Sequence, residues 1–143
     1  MPARTFTLTV LAGAFAVCRL TPEAAIPQWA SVGRFFSITR TPEELSIICP
    51  AAHVPADVPA TTGWRCLKVE GPFAFTETGV LRALAEPLAK ADISMLAVAT
   101  YDTDYLLVQE QQFENALLAL AAEGHTIDWE SAESQASSSD TKD

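Results

Sequence analysis

The chain has 143 residues, of which 49% are hydrophobic, and its 18 acidic and 9 basic residues give a formal net charge of −9. This length suits one compact domain or two small units that share a core. With so few basic residues, no positive surface is available to follow a phosphate backbone, which excludes nucleic acid as an expected partner. The cysteines, Cys18, Cys49 and Cys66, form an odd set without a C-x-x-C pair. Their pattern excludes a disulfide framework and a structural zinc site, and it predicts a reducing, cytoplasmic environment.

The N-terminal segment FTLTVLAGAFAVC (6–18) has the small residues of a signal-peptide cleavage site. Its threonines, however, alternate with Phe6, Leu8 and Val10, which is the periodicity of a strand. We therefore expect a strand here. No stretch has the roughly 18 consecutive apolar residues that span a bilayer, so we expect no contact with a membrane.

Runs of aliphatic and aromatic residues bounded by Gly, Pro or acidic residues predict strands at 6–11, 14–20, 35–40, 45–49, 64–69, 95–100, 105–108 and 125–129. Apolar residues at intervals of three to four predict a helix over 80–91, with Thr76 as its N-cap. Pro87 inside this helix predicts a kink or a loosened last turn. A second apolar stripe predicts a helix between Glu110 and Gly124.

The order strand, helix, strand, strand, helix, strand over residues 64–129 fits a ferredoxin-like antiparallel sheet with both helices on one face. The first half resembles a degenerate copy of this unit. A shift of 60 residues lays FFSITRTPEELSIIC (35–49) over MLAVATYDTDYLLVQ (95–109), with six coincident large apolar positions. A shift of 58 likewise lays 8–16 over 66–74.

The predicted fold is therefore α+β, with two tandem ferredoxin-like subdomains of which the first is degenerate. The N-terminal subdomain covers residues 1–63. Its Pro-rich end, 50–63, has no room for a second helix and is expected to be a linker. The C-terminal subdomain covers residues 64–129, and the acidic, Ser-rich residues 130–143 predict a disordered tail.

This topology predicts a site at one edge of the second sheet, where strands 64–69 and 95–100 end and the first helix begins. Free N–H groups at a helix start suit a carboxylate. Across the gap, Asp102 and Asp104 suit an ammonium or guanidinium group. Gly71 lacks a Cβ atom and lets a ligand approach the backbone. One wall that suits an anion and another that suits a cation predict a site for an amino acid.

Other interpretations of these acidic residues stay open. Aspartate in a hairpin gap often forms an Asx-turn with its own backbone. Glu77, in the first turn of the helix, is often only a partner of the helix dipole. If Glu77 contributes to the site, its charge favours a basic amino acid over an acidic one.

An enzyme would require Asp102 and Asp104 to act as a paired acid and base. Both lie in an exposed turn, where nothing in the sequence makes their environments differ. His53 and His125 have neither metal-ligand nor catalytic spacing, and we expect both at the surface. We therefore expect no catalytic activity, no metal site and no cofactor.

Four strings, WRCLKVEGPFAF, TETGVL, ATYDTDYLLV and FFSITRTPEELSIICP, resemble the tandem ACT-domain proteins of small bacterial open reading frames. They are also similar to the last ACT module of CASTOR-type cytosolic arginine sensors. The resemblance covers residues 6–127. It implies a regulatory protein that binds a small effector, usually an amino acid, between two ACT modules.

Carried onto this sequence, the resemblance implies contacts from the helix start, the strand end and the adjoining loop, namely Glu77, Thr78, Gly79, Thr100, Tyr101, Asp104, Phe73 and Ala74. The implied roles are backbone contacts from Gly79 and Thr100 and an aromatic wall from Tyr101. Asp104 and Glu77 would pair with ligand charge. Ala74 stands where the family has a loop glycine. Since the sensors dock two ACT pairs and this chain has one, the resemblance implies a homodimer.

The function expected from these observations is regulatory binding of an amino-acid effector at a subdomain or dimer interface, with the signal passing to a protein target that the sequence does not identify. The alternatives are an ACT-like pair that binds only protein, and a small enzyme that uses Asp102 and Asp104.

Overall fold

The computed structural model describes residues 4–73 and 78–131, which form two compact units. One unit is made of residues 12–64, and the other combines the segment before residue 12 with residues 65–130. The predicted N-cap Thr76 and nearly all of the predicted tail lie outside the described residues.

The elements are β1 (Thr7–Val10), β2 (Phe15–Leu20), β3 (Ser37–Arg40), β4 (Leu45–Pro50), β5 (Ala60–Val69), α1 (Val80–Lys90), β6 (Leu96–Ala99), β7 (Asp104–Gln109), α2 (Glu110–Ala122) and β8 (Thr126–Trp129). Each strand and helix expected from periodicity is therefore present. The main difference is that β5 begins at Ala60, inside the stretch expected to be a linker. This longer start pairs with β2, Cys18 lying opposite Ala60.

The unit of residues 12–64 has the strand order β3-β4-β2-β5. Its β2 to β3 connection holds a 3-10 turn at Gln28–Ser31, and its β4 to β5 connection holds another at Ala51–His53. These turns stand where a ferredoxin-like unit has helices. A small core of Ala16, Cys18, Ala30, Leu45, Ile47 and Cys49 closes one face. The second helix, for which residues 50–63 were expected to leave no room, is replaced by a 3-10 turn.

The other unit has five strands in the order β8-β1-β5-β7-β6. The expected sheet of residues 64–129 gains β1, a strand from the segment assigned to the N-terminal subdomain. Leu8 lies opposite Val69 in an antiparallel pair and opposite Ile127 in a parallel pair. β1 therefore lies between β5 and β8. β1 and β5, the two strands that the shift of 58 residues overlays, are neighbours in the sheet.

Both helices of this unit pack on one face of the sheet. Alternate strand residues supply one side of the core, namely Leu8, Val10, Leu67, Val69, Leu106 and Val108. The helices supply the other with Val80, Leu84, Leu88, Phe113, Ala116 and Leu120. This arrangement is the ferredoxin-like fold predicted for the second half.

The buried His125 explains how α1 tolerates Pro87. Proline has no N–H, so the carbonyl of Ala83, four residues earlier, loses its helical partner. Nε2 of His125 lies 3.3 Å from that carbonyl oxygen and can only donate to it. Nδ1 then accepts the N–H of Phe6 at 3.1 Å. The expectation that His125 is a surface residue was wrong, because its ring is 5% exposed and both nitrogens are engaged.

The two hairpins share one four-residue turn. Thr41 N–H donates to the Glu44 carbonyl at 2.9 Å, and Glu44 N–H donates to the Thr41 hydroxyl at 3.2 Å. Thr100 N–H and Thr103 N–H make the same bonds at 2.8 and 3.2 Å. The flanking pairs Arg40–Leu45 and Ala99–Asp104 differ by 59 positions. The predicted repeat is real, but its shift is 59 residues instead of 60.

The second turn is attached to the end of β5. The Thr103 hydroxyl, which is buried, donates to the Val69 carbonyl at 2.5 Å. Four residues after the end of β5, the Phe73 N–H donates to the Asp102 carbonyl at 2.8 Å. A Cβ atom on Gly71 would lie 3.1 Å from the same oxygen. The glycine thus permits a close approach of loop and turn.

His125→Phe keeps the ring packing but leaves the Phe6 N–H and the Ala83 carbonyl unpaired in the interior. We expect the free energy of unfolding to fall by about 2 kcal/mol, measured by urea denaturation followed by circular dichroism. His53→Phe, in the other unit, is the control and should change it by less than about 0.5 kcal/mol. Equal effects of the two substitutions would contradict the bridging role of His125.

Thr103→Val removes the buried hydroxyl and keeps the shape of the side chain. The lost hydrogen bond and the unpaired Val69 carbonyl should lower the free energy of unfolding by about 1 to 2 kcal/mol. Thr126→Val, at an exposed position of β8, is the matched control, with an expected change below about 0.5 kcal/mol. A stability of Thr103→Val equal to that of the unsubstituted protein would show that the turn does not depend on this bond.

Candidate functional site

A cavity of about 310 Å³ lies between the start of α1 and the turn of the second hairpin. It is lined by Phe73, Gly79, Val80, Leu81, Arg82, Ala99, Thr100, Tyr101, Asp102, Thr103 and Asp104. This volume is at the lower end of the range for small-molecule sites, about 300 to 1,000 Å³. The helix start and the acidic turn, which are some twenty residues apart in sequence, are therefore neighbours.

Six of the residues predicted from the sequence line this cavity, namely Phe73, Gly79, Thr100, Tyr101, Asp102 and Asp104. Gly71 does not line it and instead packs against the Asp102 carbonyl. Thr78 lines a neighbouring cavity. Ala74 and Glu77 lie outside the described residues. The contributions of Val80, Leu81, Arg82, Ala99 and Thr103 were not predicted from the sequence.

The carboxylates of Asp102 and Asp104 take no part in holding the turn. The Thr100 hydroxyl closes it, donating to the Thr103 carbonyl at 2.9 Å and accepting the Thr103 N–H. Within residues 4–73 and 78–131, neither aspartate side chain accepts a hydrogen bond. The Asx-turn, which spacing alone left open, is not formed. Asp102 is exposed and Asp104 half-buried, so both carboxylates are available to a cation.

The opposite wall is the first turn of α1. Gly79 precedes the helix with φ of +83° and carries no side chain that could cap it. The first intrahelical bond runs from the Ala83 N–H to the Gly79 carbonyl at 3.0 Å. The N–H groups of the three residues from Val80 to Arg82 consequently lack acceptors within the helix. They contribute partial positive charge to this wall.

Arg82 adds a full positive charge at the same helix end. Its Nε donates to Oε2 of Glu86 at 3.0 Å, and this bond lowers the pKa of the Glu86 carboxyl. Arg82 also lines a second cavity, of about 360 Å³, on the other side of the helix start. Acidic residues are usual in the first turn of a helix, so a basic residue there was a sequence signal that could have identified Arg82.

The rim of the first cavity is partly apolar. Tyr101 is 79% exposed and Leu81 is 39% exposed. Both side chains line the cavity. A ligand in the cavity would thus have charged groups on two sides and apolar surface at the opening.

Other chemistry finds little support among the described residues. Burial raises the pKa of Cys18, Cys49 and Cys66, that of Cys49 to about 12. Thiols in this state are poor nucleophiles. Within the described ranges, no group of three or more His, Cys, Asp and Glu side chains is placed to hold a metal ion. None of the described helices combines the length and apolar character that a membrane span requires.

Two family models match the chain. One, described as an ACT domain, matches residues 60–122. The other, described as an N-terminal domain, matches residues 13–57. The boundary between the two matches lies close to the start of β5.

Among curated proteins, the bovine (Bos taurus) cytosolic arginine sensor for mTORC1 subunit 1 is 32% identical over 101 residues, which cover 63% of this chain and 31% of the sensor. The human (Homo sapiens) protein of the same name is 31% identical over 101 residues, with the same coverage of 63% and 31%. The chain thus spans about a third of the length of the curated relatives that it matches.

Two solved structures show similar folds. Protein Atu0741 from Agrobacterium tumefaciens is 42% identical and has a TM-score of 0.85, with coverage of 90% of this chain and 96% of that chain. The regulatory subunit of aspartate kinase from Thermus thermophilus is 7% identical, with a TM-score of 0.55 and coverage of 78% and 91%. At that identity the second likeness concerns the fold alone. The first extends over nearly the whole of both chains. Taken with the match at residues 60–122 and the ferredoxin-like unit that these residues help to form, the comparisons show that the chain contains an ACT domain and is similar to the cytosolic arginine sensors.

Proposed function

We propose that this protein is a non-catalytic regulatory module that binds an amino acid in the cavity between α1 and the second hairpin. The observation that carries the proposal is that residues of opposite charge line one cavity of about 310 Å³. Arg82 and the helix start provide positive charge, and Asp102 and Asp104 provide negative charge. A zwitterion presents a carboxylate and an ammonium group at one carbon atom. Its two charges would each meet the wall that stabilises it.

A basic amino acid fits this cavity better than an acidic one. Two acidic residues, Asp102 and Asp104, line the cavity together with a single described cationic residue, Arg82. An α-ammonium group and a cationic side chain would satisfy both aspartates, and the α-carboxylate would meet the helix start. Tyr101 offers an aromatic face at the rim, which suits an ammonium or guanidinium group.

The relatives support the same class of function. Two of them bear the name of a cytosolic arginine sensor, and the fold is also that of a regulatory subunit of aspartate kinase. We therefore place this protein in the cytoplasm, where it would report the level of an amino acid to a protein target. Glu77, Thr78 and Ala74 belong to the proposed site through the family resemblance.

A thermal-shift assay with the twenty standard amino acids tests the proposal. A ligand at a hundred times its Kd adds about 2.7 kcal/mol to the free energy of unfolding. In a protein of this size that should raise Tm by about 5 to 10 °C. We expect arginine or lysine to give the largest shift. If none of the twenty raises Tm, the proposal is wrong.

Asp104→Asn then tests the position of the site. It removes one of the two charges that would hold the cationic groups, so we expect the shift produced by arginine or lysine to be largely lost. Asp128→Asn removes the same charge from an exposed position of β8 and should leave the shift intact. A full shift in Asp104→Asn would place the ligand elsewhere.

We also propose that a second copy of the chain covers the cavity. Tyr101 and Leu81 form an exposed apolar rim directly beside charged groups. Removing such apolar surface from water favours the packing of a partner on it. Burial beneath a partner would also strengthen the charge interactions inside the cavity. The site would then be complete only in a homodimer.

Light scattering coupled to size-exclusion chromatography tests the dimer. We expect twice the chain mass for the unsubstituted protein and a shift toward monomer for Tyr101→Ser. Leu118→Ser, at an α2 position that is 63% exposed, is the control and should stay dimeric. A monomeric unsubstituted protein, with or without arginine, would contradict the proposal.

The same exposed rim favours a second candidate function, a module that binds another protein without a small ligand. An unresponsive amino-acid panel, together with a stable complex that Tyr101→Ser abolishes, would favour that function over the first.

A further inference from the structure

We propose that Arg82 recognises the α-carboxylate of the bound amino acid, and that Glu86 tunes the affinity by competing for the same guanidinium group. The inference rests on the proposed function and assigns two roles within it. Arg82 would be a specificity residue that contacts the ligand. Glu86 would act through Arg82 without touching the ligand.

The placement of Arg82 supports the first role. It is the third residue of α1 and lines the cavity beside Gly79, where the helix N–H groups lack intrahelical acceptors. Among the described side chains that line the cavity, Arg82 alone is cationic. No ion pair within the described ranges joins it to Asp102 or Asp104. Its charge is therefore not cancelled by the acidic wall.

Apart from its i,i+4 ion pair with Glu86, the helix gives no structural reason for arginine at this position. A cation near a helix N-terminus opposes the macrodipole and destabilises the helix. No acidic residue in the first turn of α1 offsets this. A carboxylate arriving in the cavity would meet the guanidinium fork and the helix N–H groups together. The positive charge that destabilises the free helix would then stabilise the bound carboxylate.

The geometry of Glu86 supports the second role. Its Oε2 accepts from Arg82 Nε at 3.0 Å, and its Oε1 lies 3.9 Å from Nζ of Lys90. Glu86 lines the second cavity and not the first, whereas Arg82 lines both. The Arg82 side chain is 82% exposed, so it can turn from one cavity to the other without loss of packing. Lys90 would keep Glu86 paired after Arg82 turns away.

Paired ligands that differ only at the α-carboxylate test the first role. By isothermal titration calorimetry we expect the unsubstituted protein to bind L-arginine about tenfold more tightly than L-argininamide, the size of a charge-assisted contact. Arg82→Gln should bring this ratio close to one, mainly by weakening L-arginine. Lys68→Gln removes the same charge from a position of β5 that lines neither cavity, and it should preserve the ratio. L-lysine and L-lysinamide provide a second pair.

Glu86→Gln tests the competition. Release of an exposed ion pair of this kind should tighten L-arginine binding by about twofold, with L-argininamide unchanged. In the Arg82→Gln background, Glu86→Gln should have no effect on either ligand. Equal Tm values without ligand would show that the variants are folded.

The outcomes separate the two proposals. If neither L-arginine nor L-lysine binds the unsubstituted protein, the inference falls with the basic-ligand function on which it rests. If they bind, but Arg82→Gln weakens acid and amide equally, the function stands and the carboxylate assignment is wrong. If Arg82→Gln behaves as expected but Glu86→Gln leaves L-arginine binding unchanged or weaker, the competition is wrong.

Discussion

The hydrogen bond from the buried Thr103 hydroxyl to the Val69 carbonyl fixes where the cavity can form. It holds the turn of the second hairpin at the end of β5, from which the chain leads into α1. The Phe73 N–H adds a second link at the Asp102 carbonyl. Because Thr100 and Thr103 hold the turn, the side chains of Asp102 and Asp104 are not needed to stabilise it. The same turn without its threonines would draw Asp102 or Asp104 into backbone bonds and leave less charge for a ligand.

A second constraint keeps the helix start opposite this turn. Pro87 deprives the Ala83 carbonyl of its helical partner, and His125 supplies a replacement while it accepts the Phe6 N–H. One imidazole thus links α1, the residues before β1 and the connection from α2 to β8. β1 itself lies between β5 and β8 in the same sheet. The first strand of the chain therefore helps to position α1. The hydrogen bond that α1 lacks at Pro87 is thus replaced by a contact with a residue distant in sequence.

Much of this architecture could be predicted from local pattern. Strand alternation and helical spacing located each element, and the helix–strand order indicated which loops would meet. The repeat shift was misjudged by one residue because Leu106, Leu107 and Val108 are all buried, so the alternation that marks a register is hidden in β7. In the structure Ile47 corresponds to Leu106 and Cys49 to Val108, and each faces its own core. The insertion of β1 and the burial of His125 depend on pairing over more than a hundred residues, which no local pattern encodes. Arg82 was not predicted, because the periodicity that locates a helix marks apolar positions and carries no information about charge at the helix start.

The degenerate repeat explains why the proposed site belongs to one half of the chain. Both hairpins carry the same threonine turn, at Thr41–Glu44 and at Thr100–Thr103. In the unit of residues 12–64, however, the connection before the hairpin holds only the four-residue 3-10 turn Gln28–Ser31. A turn of four residues cannot align enough peptide dipoles to act as an anion site. Loss of the helix therefore removes one of the two charged walls while the acidic turn persists. Under the proposed function, each chain would contribute one amino-acid site, and a homodimer would bind two ligands.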